Sequence, residues 1–240
     1  MSTWAFSDIH GNRKLFDQVM AEIGPDDKVY FLGDAIDRCS DGWAIFKELM
    51  DDPRVTFICG NHEDMMIDAL RTFPEIRWSQ ALEVWDWNGN EPTLQAIEND
   101  DPETVKSYLL RVRDLPIFQT YTNPSGDEFW LSHAGCDYVE HPSWLSREQL
   151  IWDRHHFLTN KWYHDNPENL YIVHGHTPIP ILLEELSMYH DDIPKDEEVE
   201  PGAYYYAGGH KIDIDCGAHF TDTTVLLNLD DFSEKVFKVE

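Results

Sequence analysis

Two observations predict an α/β fold for this 240-residue chain. Short apolar strands alternate with amphipathic helices three times in succession, and candidate metal-ligating residues recur just after the strands. Thr3–Phe6 reads as a strand ending at Asp8. Leu15, Phe16, Val19, Met20 and Ile23 then recur at helical spacing until Gly24-Pro25 stops them. Lys28 to Leu32 is a second strand ending at Gly33-Asp34, followed by a helix over Gly42 to Met50. Arg54 to Ile58 is a third, ending at Gly60-Asn61-His62, with a helix from Glu63 to Arg71. Such units build a parallel-containing sheet, whose carboxyl-end loops carry the site of an α/β protein. With no repeat and no linker-like stretch, residues 1–240 read as a single domain.

From 74 to 114 the pattern changes to helices and turns rich in Trp (Trp78, Trp85, Trp87), with Asp101-Pro102 as a helix start. This segment is expected to form a helical cap over the site. Ile117 to Thr122 and Glu128 to Leu131 flank the turn-forming run Asn123-Pro124-Ser125-Gly126-Asp127 and read as a hairpin whose second strand ends at His133. Leu170 to Val173 is a strand ending at His174-Gly175-His176. Tyr204–Tyr206, Lys211–Asp215, Thr223–Leu229 and Lys235–Val239 read as antiparallel strands. The acidic stretch from Glu184 to Pro201 reads as a solvated loop.

Eighteen Lys and Arg against 46 Asp and Glu give a formal charge of -28. Nucleic acid and acidic membrane surfaces are therefore repelled rather than gathered, and neither is expected as a partner. Four cysteines (Cys39, Cys59, Cys136, Cys216) without disulfide-type spacing suggest reduced thiols and a cytoplasmic protein. The start of the chain, with no basic and apolar leader, and the lack of a run of transmembrane length agree.

Asp8, His10, Asp34, Asn61, His133 and His176 all fall just after strands, so their side chains can converge at one sheet edge. Carboxylate, imidazole and one amide oxygen suit divalent ions such as Mn, with Fe or Zn as alternatives. A thiolate-rich set would have pointed to structural zinc. Asp34 has two carboxylate oxygens and can bridge two ions about 3.5–4 Å apart. Such a pair lowers the pKa of a bound water to about 7 and supplies a nucleophile for phosphoester hydrolysis.

Asp8-Ile9-His10-Gly11, Gly33-Asp34-Ala35-Ile36-Asp37-Arg38, Gly60-Asn61-His62-Glu63, His133-Ala134-Gly135 and Gly175-His176-Thr177 resemble, in order and spacing, the motifs of the calcineurin-type metallophosphoesterases. Asn61 to Asp68, Ile151-Trp152-Asp153-Arg154 and Ile214 to Ala218 are most similar to the phosphoprotein phosphatases of the small bacterial and phage-lambda type. The resemblance spans nearly the whole chain and is weakest over 74–114 and 184–206. It implies a β sandwich of two mixed sheets flanked by helices, and two metal ions. Asp8, His10 and Asp34 would hold one ion, and Asp34, Asn61, His133 and His176 the other. It further implies that His62, oriented by Asp37, protonates the leaving group, and that Arg38 and Arg154, with Asn61, bind phosphate oxygens. The residue chemistry agrees: a His is the simplest general acid near neutral pH, and an Arg fork matches phosphate bidentately.

Two positions depart from that family pattern. Cys59 stands where relatives carry an Arg, and Pro178 where more distant members place another metal-binding His, so the first ion is expected to keep more water ligands.

The implied activity is phosphomonoester hydrolysis, most simply on phosphoserine or phosphothreonine in a phosphoprotein, or on a small phosphoester. The rivals are hydrolysis of dinucleoside polyphosphates and a catalytically silent metal-binding docking module. His141, His155, His156, His164, His190, His210 and His219 read as surface or hydrogen-bonded loop residues, with His174 a satisfied core residue or a support behind the ligands. The Trp-rich stretch reads as helix packing. The cysteines read as small buried residues rather than a redox switch.

Overall fold

The computed structural model describes residues 1–196 and 199–239. The three opening units form as the pattern predicts. Strands β1 (Thr3–Phe6), β2 (Lys28–Phe31) and β3 (Val55–Phe57) alternate with helices α1 (Arg13–Glu22), α2 (Gly42–Asp51) and α3 (Asn61–Ala69). Helix α1 starts where the Asn12 side chain accepts from the Leu15 N–H, and it buries Leu15, Phe16 and Val19. Helices α4 (Gln80–Trp87), α5 (Glu91–Glu98) and α6 (Pro102–Val112) follow, the last capped by Asp101 as the Asp-Pro signal indicates.

The second half adds β4 (Gln119–Thr122), β5 (Glu128–Leu131), α7 (Arg147–Trp152), β6 (Leu170–His174), α8 (Ile179–Ser187), β7 (Tyr204–Tyr206), β8 (Lys211–Asp213), α9 (Ala218–Thr221), β9 (Thr223–Asn228) and β10 (Glu234–Lys238). Among the described residues the strands make two five-stranded sheets, ordered β10-β9-β1-β2-β3 and β4-β5-β6-β8-β7. Both are mixed. β1, β2 and β3 run parallel, as do β5, β6 and β8, while β9, β10, β4 and β7 pair antiparallel at the flanks.

Alternation along the strands splits the core into layers. Ala5, Leu32 and Ile58 of the first sheet meet Phe129, Leu131, Val173 and Ile212 of the second, whereas Trp4, Phe6, Val29 and Phe31 face outward onto α1 and α2. Each fully buried side chain of this size stabilises by about 1.5–3 kcal/mol, so a one-residue slip, which would exchange the two faces, is strongly disfavoured.

Three expectations need correction. β8 is not simply antiparallel: it pairs parallel with β6 and antiparallel only with β7, because strand partners are chosen by long-range burial that local pattern does not carry. The acidic stretch from Glu184 is not loop throughout, since α8 runs through Ser187 with Ile179, Leu182, Leu183 and Leu186 buried at helical spacing. Its residues 197 and 198 lie outside the described residues. The Trp-rich stretch also divides: Trp85 is fully buried, while Trp78 and Trp87 are 78% and 77% exposed.

Lys211, at the start of β8, is buried and donates to Asp137 Oδ1 (2.6 Å) and to the His156 carbonyl (2.6 Å). Asp137 itself is half exposed, at 56%. Removing one partner is therefore unequal to removing the other. Asp137→Ala strands a buried ammonium and is expected to cost about 2–4 kcal/mol, whereas Lys211→Met leaves a carboxylate that water can solvate and should cost clearly less. Urea unfolding of the two variants measures the difference. Equal losses would show that the ion pair is not what stabilises this end of the sheet.

Candidate active site

The parallel strands of each sheet release their chains in a common direction, which gathers the loops after β1, β2, β3, β5 and β6. Six residues in these loops adopt left-handed backbone: Asp8 (φ 50°), His10 (44°), Asp34 (63°), Asp37 (72°), Arg38 (67°) and His176 (68°). For a residue with a Cβ this costs about 1–2 kcal/mol, and such strain concentrates at functional sites. Glycines let the strained loops close together. A Cβ on Gly60 would lie 2.2 Å from Asp34 Oδ1, and one on Gly175 would lie 2.0 Å from Asp8 Oδ2. Glu63 ties the second and third loops by accepting from the N–H groups of Asp34 (2.9 Å), Ala35 (2.9 Å) and Gly60 (3.1 Å).

Asp34 lies at the centre. Its Oδ2 is 3.4 Å from His133 Nε2, 3.7 Å from His10 Nε2 and 3.8 Å from His62 Nε2, and its Oδ1 accepts from the His62 N–H (3.0 Å). His133 Nδ1 donates to the Leu32 carbonyl (2.7 Å) and His10 Nδ1 to that of Ile36 (2.9 Å). Each bond leaves Nε2 as the ring atom that faces inward, where it can lend a lone pair to a cation once its proton has left. Asn61 Oδ1 is 2.9 Å from both His133 Nε2 and His176 Nδ1, and those two nitrogens are 3.2 Å apart. Several acceptor atoms thus converge where a cation satisfies them together.

Two donor groups emerge with ligand atoms within 4.8 Å of one another: His10, Asp34 and His62, and Asp34, His133 and His176. Asp34 belongs to both. Asp8 lies behind them, its Oδ2 accepting from the His176 N–H (3.1 Å).

The electrostatics fit a divalent pair. Burial and the neighbouring Asp215 push the Asp8 carboxyl well above its ordinary range, and burial raises Asp215 and Glu63 to about 7. Burial also disfavours a charged Asp34, but His133 and His62 outweigh it and hold this carboxylate well below the usual range. Desolvation likewise opposes a charged His133, yet Asp34 and Asp8 push its pKa up to about 10. The cluster draws positive charge inward, which a divalent cation supplies more fully than a proton.

His62 is 1% exposed, and its Nδ1 donates to Asp37 Oδ2 (2.6 Å). Although burial opposes the charged ring, Asp34 and Asp37 raise its pKa. Asp37 Oδ2 also accepts from Trp85 Nε1 (2.7 Å), and the Asp37 N–H donates to Thr93 Oγ1 (2.8 Å). The segment 74–114 therefore acts on the site from behind. Within it, Asn88 alone lines the cleft.

That cleft has a volume of about 370 Å³ and is lined by His10, Asp34, Asn61, His62 and His176 at its floor, with Arg38, Arg154 and His219 on its walls. Asp8 and His133 lie beneath it. Both arginines are exposed. Arg154 Nε lies 3.3 Å from His176 Nε2, and Arg38 reaches His219 Nε2 (3.0 Å) and His62 Nε2 (3.4 Å).

Sequence reasoning placed His219 and His156 among surface or hydrogen-bonded loop residues; His156 is one, its Nε2 bonded to the Ala134 carbonyl (2.6 Å), while His219 needs correction. His219 lines the cleft with its ring edge-on to His10, 5.2 Å between centroids, and His156 is buried against His174. His174 is a satisfied core residue: Nδ1 donates to the Gly175 carbonyl (3.0 Å) and Nε2 accepts from Tyr206 (2.7 Å). Pro178 at the start of α8, Ile181 within it, and Phe220 of α9 complete the apolar rim. The helical position of Ile181 was not legible beside the acidic segment. All four cysteines are free, and burial raises the thiol pKa of each, which disfavours the reactive thiolate.

Fold and site together define a phosphoesterase of the metal-dependent class. Residues 1–213 match the calcineurin-like phosphoesterase family, and the chain belongs to it. A curated relative, serine/threonine-protein phosphatase 2 of Escherichia coli (strain K12), is 26% identical over 155 residues. That match covers 62% of this chain and spans 66% of the relative's length. Among solved structures, a candidate diadenosine tetraphosphatase superposes with a TM-score of 0.59 at 14% identity, covering 98% of this chain and 92% of the other. A metallophosphoesterase from Sphaerobacter thermophilus gives 0.59 at 17% identity, with 100% and 88% covered. These two likenesses concern the fold. Among the described residues, no helix is long and apolar enough to cross a membrane.

Gly175→Ala tests the packing that sets the ligands. Its Cβ displaces the Asp8 carboxylate, so the purified variant is expected to hold less divalent metal per chain while keeping its far-ultraviolet circular dichroism. Full metal content by elemental analysis would mean that Asp8 is not needed where the structure places it.

Proposed function

We propose that this phosphoesterase hydrolyses phosphomonoesters, with phosphoserine or phosphothreonine of proteins as the substrate class. Asp8, His10 and Asp34 would hold one divalent ion and Asp34, Asn61, His133 and His176 the other, with Mn the best match to this carboxylate, imidazole and amide set. Bound there, the ions supply Lewis acidity and an activated water. The observation that carries the reading is His62. It is buried, held at Nδ1 by Asp37, and has Nε2 turned to a cleft shared with Arg38. A phosphate monoester leaving as an alkoxide needs a proton, and this ring is placed to give one. Asp37 fixes the ring and favours its charged form, and Trp85 and Thr93 fix Asp37. Arg38 and Arg154 donate to the phosphoryl oxygens and orient the ester, and the products are an alcohol and inorganic phosphate. The similarity to a bacterial serine/threonine phosphatase supports the substrate class.

Phosphopeptides, p-nitrophenyl phosphate and diadenosine tetraphosphate, assayed with Mn and after exhaustive chelation, test the reading. Metal-dependent turnover of phosphopeptides is expected. Turnover confined to the dinucleotide would reassign the substrate, and activity that survives chelation would overturn the metal mechanism.

His62→Asn is expected to lower turnover on a phosphoserine ester by about 10²–10⁴-fold and on p-nitrophenyl phosphate far less, because nitrophenolate scarcely needs protonation. Steady-state kinetics of that one variant on both esters make the comparison. An equal loss on both would assign His62 to binding or assembly.

A further inference from the structure

We propose that His219 is a positioning residue that holds Arg38 for phosphate binding, an inference that rests on the phosphoesterase reading above. Arg38 is exposed, and its fork meets two rings: His219 Nε2 at 3.0 Å from Nη1, and His62 Nε2 at 3.4 Å from Nη2, which can accept only while the His62 ring is neutral. The second contact is long and weak. Nη2 is therefore the arm most easily given up to a phosphoryl oxygen, and His219 is the contact that keeps the guanidinium in place when it is.

His219 is suited to that task. Its short helix, α9, is bounded by left-handed residues at Gly217 (φ 75°) and Asp222 (φ 53°). Asn12 Nδ2 donates to the Ala218 carbonyl (3.0 Å) and to Asp222 Oδ1 (3.1 Å), Thr221 Oγ1 donates to the Cys216 carbonyl (2.8 Å), and the Gly217 N–H donates to Asp215 Oδ1 (2.8 Å). These bonds set the turn that presents His219 beside His10. A ring that accepts at Nε2 carries its proton at Nδ1, and that atom is buried without a partner. An orphaned donor opposes folding. The ring thus presents an acceptor to Arg38 at the expense of its other nitrogen, as a site residue does rather than a surface one.

The test uses the Mn-loaded enzyme, p-nitrophenyl phosphate as substrate and inorganic phosphate as the binding probe. His219→Leu is expected to raise KM and the phosphate inhibition constant together by about 5- to 20-fold, with kcat within about 3-fold. His219→Gln, which keeps an acceptor of similar reach, should recover most of this. His219→Asn, too short to reach Arg38, should match the Leu variant and replaces it if that variant unfolds. In an Arg38→Ala background, His219→Leu should add less than about 2-fold, because the residue acts through Arg38. Unchanged phosphate affinity, multiplicative losses in the double variant, or reduced metal content in His219→Leu would each overturn the proposal. Calorimetric titration with phosphate reads the same contact without turnover. A chain that hydrolyses no phosphoester but loses phosphate affinity on His219→Leu would refute the activity and keep the contact.

Discussion

The buried carboxylate of Asp34 is the group on which the rest of the site depends. It is nearly free of solvent, yet histidines from three other loops surround it and Glu63 holds its backbone N–H. Burying a carboxylate is costly unless positive charge comes with it. Here the compensation is spread over His133, His62 and His10, and it is only partial, since Asp8, Asp215 and Glu63 are buried nearby with their pKa values raised. The arrangement makes electrostatic sense around divalent cations.

Holding such a cluster requires a scaffold that does not relax. Three parallel strands in one sheet and three in the other point their loops at the same place, and the interior between the sheets sets their register. The loops then take left-handed turns at six site residues and approach one another at Gly60 and Gly175. Strain of this kind persists only where surrounding contacts over-determine it. Glu63 supplies one such contact by joining three N–H groups. Trp85 and Thr93 supply another by holding Asp37, which in turn holds His62. Residues 74–114 thereby reach the site through hydrogen bonds to Asp37, with Asn88 alone of them at the cleft.

Much of this was legible in the sequence, and the reasons differ by element. The strand–helix units were readable because burial imposes periods of two and 3.6 on the chain, and Asp101-Pro102 because capping is local chemistry. The polar residues after the strands could be grouped because strand ends share an edge. α8 was obscured because charges dominate the composition of a segment whose apolar residues nevertheless keep helical spacing. His219 was missed for a different reason. Its partner Arg38 lies 181 positions away, and no local pattern distinguishes it from a loop histidine.

The sequence by itself determined the α/β class, the chain order of the loops that carry the candidate site residues and the kind of chemistry their side chains support, since these follow from local periodicity and residue type. The tertiary structure alone decided which strands pair in parallel, which carboxylates are buried together, that Glu63 and Trp85 brace the loops, and that His219 stands against Arg38. Those features arise from contacts between residues far apart in the chain. They are selected by burial and electrostatics summed over the whole fold, which local sequence does not encode.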